Sequence, residues 1–177
     1  PIWQGPGDLV LDGVGLRTLS LSIDGRSLDP ALIDADAGRL IIQAADLPDS
    51  FTFAAEVQID PEANTALEGL YLSGGMFCTQ CEAEGFRHIT WYPDRPDVMA
   101  PFQVTINSGM PVLLSNGNPV SAVPGRAVWQ DPWKKPAYLF ALVAGDLRAI
   151  SDSFTTMSGR KVALNVWVRP GDENRAG

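Results

Sequence analysis

Apolar residues recur at every second position through most of this chain, and that period excludes a helical architecture at the outset. Side chains on a strand alternate between two faces, whereas a helix repeats at three and four. Leu19-Ser20-Leu21-Ser22-Ile23 alternates and then meets Asp24-Gly25, a pair that favours a tight hairpin turn because both central residues take positive φ. Phe51, Phe53, Ala55, Val57 and Ile59 alternate with Thr52, Ala54, Glu56, Gln58 and Asp60. Such a segment is a half-buried strand, and Pro61 ends it. Leu40-Ile41-Ile42 lacks alternation and predicts a strand buried on both faces or at a sheet centre.

The same period predicts strands over 67–73, 102–107, 112–115, 127–130 and 138–143. A last hairpin is expected from Phe154-Thr155-Thr156 through Ser158-Gly159 to Val162, Leu164, Val166 and Val168. Helix is expected only as one turn near Asp29–Asp34. Short strands punctuated by 17 Gly and 14 Pro point to an all-β fold, a saddle-shaped β-sandwich of mostly antiparallel strands. At 177 residues the chain is long enough for one domain with a full core. That domain is expected over residues 1–168. Residues 169–177, Arg-Pro-Gly-Asp-Glu-Asn-Arg-Ala-Gly, lose the alternation and read as a linker.

Charge narrows the partners. A formal net charge of −8 opposes nucleic-acid binding, which needs Lys and Arg to neutralise phosphates. Lys134-Lys135 and Arg160-Lys161 are isolated pairs, too few to make a basic stripe. No apolar run approaches the ~20 residues of a membrane-spanning helix. The partners expected are therefore neither nucleic acid nor membrane.

Chemistry concentrates between Leu67 and Pro96, where both cysteines, the single histidine and three Glu gather. Cys78, Cys81 and His88 supply three soft metal donors, one fewer than structural zinc needs, and no second close pair follows. On an extended backbone Cys78 and Cys81 also face opposite ways. Two plain thiols are expected instead, in keeping with a cytoplasmic setting. Glu82 and Glu84 near His88 raise acid–base catalysis, but no Gly-x-Ser-x-Gly or His-Glu-x-x-His element accompanies them. Gln80 and Glu82, two apart on an extended segment, project the same way. An amide oxygen beside a carboxylate matches the donors of an ammonium group. The alternative is that Glu82 is solvated, or paired with Arg87.

Several collinear blocks then resemble the bacterial aminopeptidase N family. They are Leu67-Glu68-Gly69-Leu70-Tyr71, the run from Cys78 to Thr90, and Asp94-Arg95-Pro96-Asp97-Val98. Leu113 to Asn118, Trp129-Gln130-Asp131-Pro132, Lys135 to Asp146, and Phe154 to Arg160 follow in order. The resemblance covers most of the chain from about Leu67 onward. It implies an N-terminal β-domain preceding a thermolysin-like catalytic domain, in a parent enzyme that uses zinc-activated water to remove residues from peptide N-termini. It further implies that Gln80 and Glu82 reach the active site and hold the substrate's free α-amino group. The zinc, on this resemblance, is bound outside this chain, and Cys78, Cys81 and His88 have no part in it. The chain is expected to be a non-catalytic piece that begins after the family's first strands, with its own catalytic domain as partner. The rival reading is a non-catalytic β-sandwich binding or scaffold module.

Overall fold

The computed structural model describes residues 7–34 and 37–175. Among them are fifteen strands, five single turns of 3-10 helix and no α-helix, which is the all-β sandwich the alternation predicts. No helix among the described residues is long and apolar enough to cross a membrane.

Two sheets build the first half. β1 (Leu9–Asp12), β4 (Ile33–Asp34) and β5 (Arg39–Ile42) form one, with β5 in the centre. β2 (Arg17–Ile23), β3 (Arg26–Ser27) and β6 (Phe53–Gln58) form the other. Asp24 (φ 48°) and Gly25 (φ 78°) make the expected turn between β2 and β3. Half-buried and exposed residues alternate strictly along β6. Leu9, Leu11, Leu21, Ile23, Leu40, Ile42 and Trp91 bury themselves between the two sheets. Leu40 is fully enclosed, as a central strand requires, and a side chain so buried contributes roughly 2 kcal/mol.

The second half repeats the arrangement. β7 (Gly69–Ser73), β8 (Met76–Gln80), β10 (Val112–Ser115) and β13 (Leu142–Gly145) form a four-stranded sheet in the order β10-β13-β8-β7. β9 (Met99–Asn107), β11 (Asn118–Val123) and β12 (Arg126–Pro136) form a three-stranded one. Ile106, Leu113, Ala127 and Ala144 pack between them. A third cluster, Cys81, Phe86 and Ala137 with Ile89, Tyr92, Phe102 and Phe140, is built on edge-to-face aromatic pairs around Phe86. Asp12 of β1 bridges Tyr92 in an isolated antiparallel pair, tying the first half to this cluster. β14 (Arg148–Thr155) and β15 (Lys161–Val168) pair only with each other, leaving Phe154, Leu164, Val166 and Trp167 exposed.

Three expectations need correction. A strand is expected over 138–143, but Ala137–Leu139 forms a 3-10 turn and β13 starts at Leu142. The Asn116 side chain holds that turn, donating to Leu139 O at 3.0 Å and accepting from Ala141 N at 2.6 Å. β7 begins at Gly69 rather than Leu67, because Leu67 is left-handed (φ 59°), outside the extended range a strand needs, and Gly69 is the first residue to pair, opposite Gln80. The turn expected near Asp29–Asp34 contracts to Pro30–Leu32, and Ile33–Asp34 pairs as a strand.

Candidate functional site

The β7–β8 hairpin sets Gly69 opposite Gln80 and Tyr71 opposite Cys78. On its other side β8 pairs with β13 only at Phe77 and Cys78. One residue later the Thr79 hydroxyl takes over, accepting from Leu142 N at 2.9 Å. Gln80 is therefore an exposed strand end, held from both flanks up to the preceding residue.

The strand does not run on to Glu82. Cys81 and Phe86 are drawn into the aromatic cluster, and the chain between them folds back so that Gly85 N donates to Cys81 O at 2.8 Å. The Glu82–Ala83 peptide in this turn is cis. Gln80 and Glu82 are thus brought together by the turn, and the premise of strand alternation is corrected. Gln80 Nε2 donates to the main-chain oxygen of Glu82 at 3.1 Å. That partner is an acceptor, so it commits the NH2 end of the amide and leaves Oε1 as the free end. The Glu82 carboxylate is exposed and has no hydrogen-bond or ion-pair partner among the described residues. Gln80 Oε1 and the Glu82 carboxylate are both acceptors of N–H donors.

Arg87 does not pair with Glu82. Its Nε donates to Asp94 Oδ2 at 3.1 Å and one Nη donates to Asp94 O at 3.1 Å. The other Nη reaches Glu84 Oε2 at 3.2 Å. The Arg87 main-chain N–H also donates to Asp94 Oδ2, again at 3.1 Å. Asp94 is buried and its own N–H donates to Asp12 Oδ2 at 3.3 Å. A buried carboxylate persists only when paired and hydrogen-bonded, and Asp94 is both. Sequence reasoning missed Asp12 and Asp94 as supports. The one signal for Asp94 is its place in the Asp94-Arg95-Pro96 block.

The soft donors scatter. Cys78 and Cys81 are free thiols. Cys81 is enclosed by apolar neighbours, and burial, with the Asp94 charge adding, pushes its thiol up to about 12. Tyr71 is raised by its hydrogen bond with Cys78, then by desolvation. His88 Nε2 lies 3.2 Å from Glu68 Oε2. Among the described residues no group of three or more His, Cys, Asp or Glu is arranged to hold a metal ion.

The peptidase M1 N-terminal domain model matches residues 9–139. Aminopeptidase N of Caulobacter vibrioides is 56% identical over 175 residues, covering 95% of this chain and 20% of the relative. Aminopeptidase N of Escherichia coli is 49% identical over 176 residues with the same coverage, 95% and 20%. The crystal structure of Legionella pneumophila aminopeptidase A in complex with aspartic acid superposes with a TM-score of 0.86. It is 34% identical and covers 98% of this chain and 21% of that one. The chain thus spans about a fifth of the length of the curated relatives it matches.

Proposed function

This chain belongs to the peptidase M1 N-terminal domain family, and from that premise we propose that it is the substrate-anchoring domain of a zinc-dependent aminopeptidase. The parent removes single residues from peptide N-termini. Residues 1–168 act as the domain and 169–177 lead toward the catalytic part, which also holds the zinc. A cytoplasmic setting is supported by the two unpaired thiols.

The observation that carries this reading is the arrangement of Gln80 and Glu82. The Gln80 amide is oriented by the Glu82 carbonyl, and its oxygen and the exposed carboxylate are the two acceptors this reading assigns to the α-ammonium group. Binding the amine at a fixed point sets the first peptide bond at a fixed distance from it. Orientation of this kind converts binding into rate, because the reacting bond arrives already placed.

The test is Glu82→Ala in the full-length parent. Glu82 is exposed in this chain; once the catalytic part shields it in the parent, a carboxylate facing an ammonium costs roughly 2–5 kcal/mol to lose, which is about 30-fold or more in kcat/KM. Folding and bound zinc should be unchanged, since the Glu82 side chain has no hydrogen-bond or ion-pair partner among the described residues and its main-chain bond to Gln80 survives truncation. Near-normal kcat/KM on free-amine substrates would overturn the proposal.

A further inference from the structure

Glu82 sits in an exposed turn, a poor platform for a group that must meet a ligand at a set position. Arg87, whose side chain is only 20% exposed, holds the far part of that turn through Glu84. The guanidinium spans three separate stretches of chain. It clamps Asp94 at two points, holds Glu84 of the turn, and stands 4.0 Å from Asp12 on β1. Glu84 lies two residues from Glu82, and the turn closes at Gly85 immediately beyond. We propose that Arg87 is a positioning residue for the Gln80–Glu82 seat, a role that rests on the amine-anchor reading above. Arg87 touches no substrate. It fixes where the Glu82 carboxylate stands.

Charge and geometry make opposite demands on this residue. Arg87 is a cation on the same turn as Glu82, so a purely electrostatic account predicts tighter binding of the substrate's ammonium when that charge is removed. The positioning account predicts looser binding. Lysine separates the two, because it keeps the charge and loses the planar fork that grips Asp94 twice.

The experiment is a double-mutant cycle in the full-length parent, with Arg87→Lys, Glu82→Ala and the pair assayed on a free-amine aminoacyl reporter. Arg87→Lys should lower kcat/KM about tenfold, mostly through KM, the size expected for one disordered charge-assisted contact. In the Glu82→Ala background it should cost less than about twofold, because the group it positions is gone. Multiplying losses in the double variant would show a general structural role and overturn the proposal, as would wild-type or improved KM in Arg87→Lys. Normal activity of Glu82→Ala alone would instead overturn the amine-anchor reading, and this inference with it. Should Arg87→Lys fail to fold, Glu84→Gln loosens the same hold from a side chain 68% exposed. Its expected loss is about twofold in the wild-type background and none with Glu82→Ala; equal losses in both backgrounds would overturn the proposal.

Discussion

Gly85 packs so tightly beneath the end of β8 that a β-carbon on it would be driven into the main-chain oxygen of Gln80. The same atom would stand 2.9 Å from Cys81 Cα and 3.1 Å from Gly69 N. All three neighbours are backbone, so none can swing aside as a side chain would. Gly85→Ala should therefore cost about 1–3 kcal/mol of stability, the usual range for overpacking, and should displace the Gln80–Glu82 seat. Denaturant titration of the chain and kcat/KM of the parent measure the two effects separately. An unchanged midpoint would refute the close packing.

Among the polar residues of the site, losses should follow the charge each carries toward the ligand. Gln80→Ala removes a neutral acceptor and should cost less than Glu82→Ala, because bonds to charged groups are the stronger ones. Glu84→Ala should be mild, since its exposed bond to Arg87 acts only through the turn. Steady-state kinetics of the three variants in the parent give the order, and Gln80→Ala exceeding Glu82→Ala would contradict it.

Asp131 is a second buried carboxylate, at 5% exposure, and it faces the Lys135 ammonium across a bulge in β12. Lys135→Met keeps the stem and removes the charge, leaving Asp131 with one weak bond from Trp133 N at 3.3 Å. Unpairing a buried ion costs about 3–5 kcal/mol. Thermal denaturation should show a large drop, relieved by adding Asp131→Asn. No relief would mean that the cost lies in packing.

Cys81 makes stability depend on alkaline pH. Its thiol rises from an ordinary 9.0 to about 12 on burial, so the folded state holds the proton that the unfolded chain releases. The resulting stabilisation is whole below pH 9 and is lost as pH climbs toward 12. Unfolding midpoints should fall across that window, and Cys81→Ala should flatten the fall. Alkylation at pH 8 should reach half-buried Cys78 well before Cys81.

One-sided burial makes a strand easiest to read, although the β14–β15 hairpin, exposed along most of both strands, is legible from its alternation and its Ser158-Gly159 turn. β6 shows strict alternation because a core lies on one face and water on the other. β11 is exposed along its whole length, so no apolar period marked it. The strand expected over 138–143 slipped because Asn116, more than twenty residues away, holds a turn there. At the proposed site, the turn that brings Gln80 and Glu82 together was not legible, since alternation alone placed them on one strand face. The turn that joins them depends on Cys81 and Phe86 entering the core, and its anchorage on Asp12 and Asp94 joins positions 82 apart in the chain. Neighbour-to-neighbour spacing carries no trace of such a contact.

The β14–β15 ribbon has a consequence for how this chain opens. Among the described residues its eight cross-strand pairs are backed by no third strand and little apolar packing, and the Arg169 contact to Ser73 O at 3.5 Å is a weak tether at its base. A two-stranded ribbon is marginal by itself in water, so its amides should exchange with solvent through local fraying, at a free energy far below that of global unfolding. Amides of β5, enclosed around Leu40, should exchange only when the whole first sandwich comes apart. One chain therefore keeps two clocks, and the fast one runs in the ribbon.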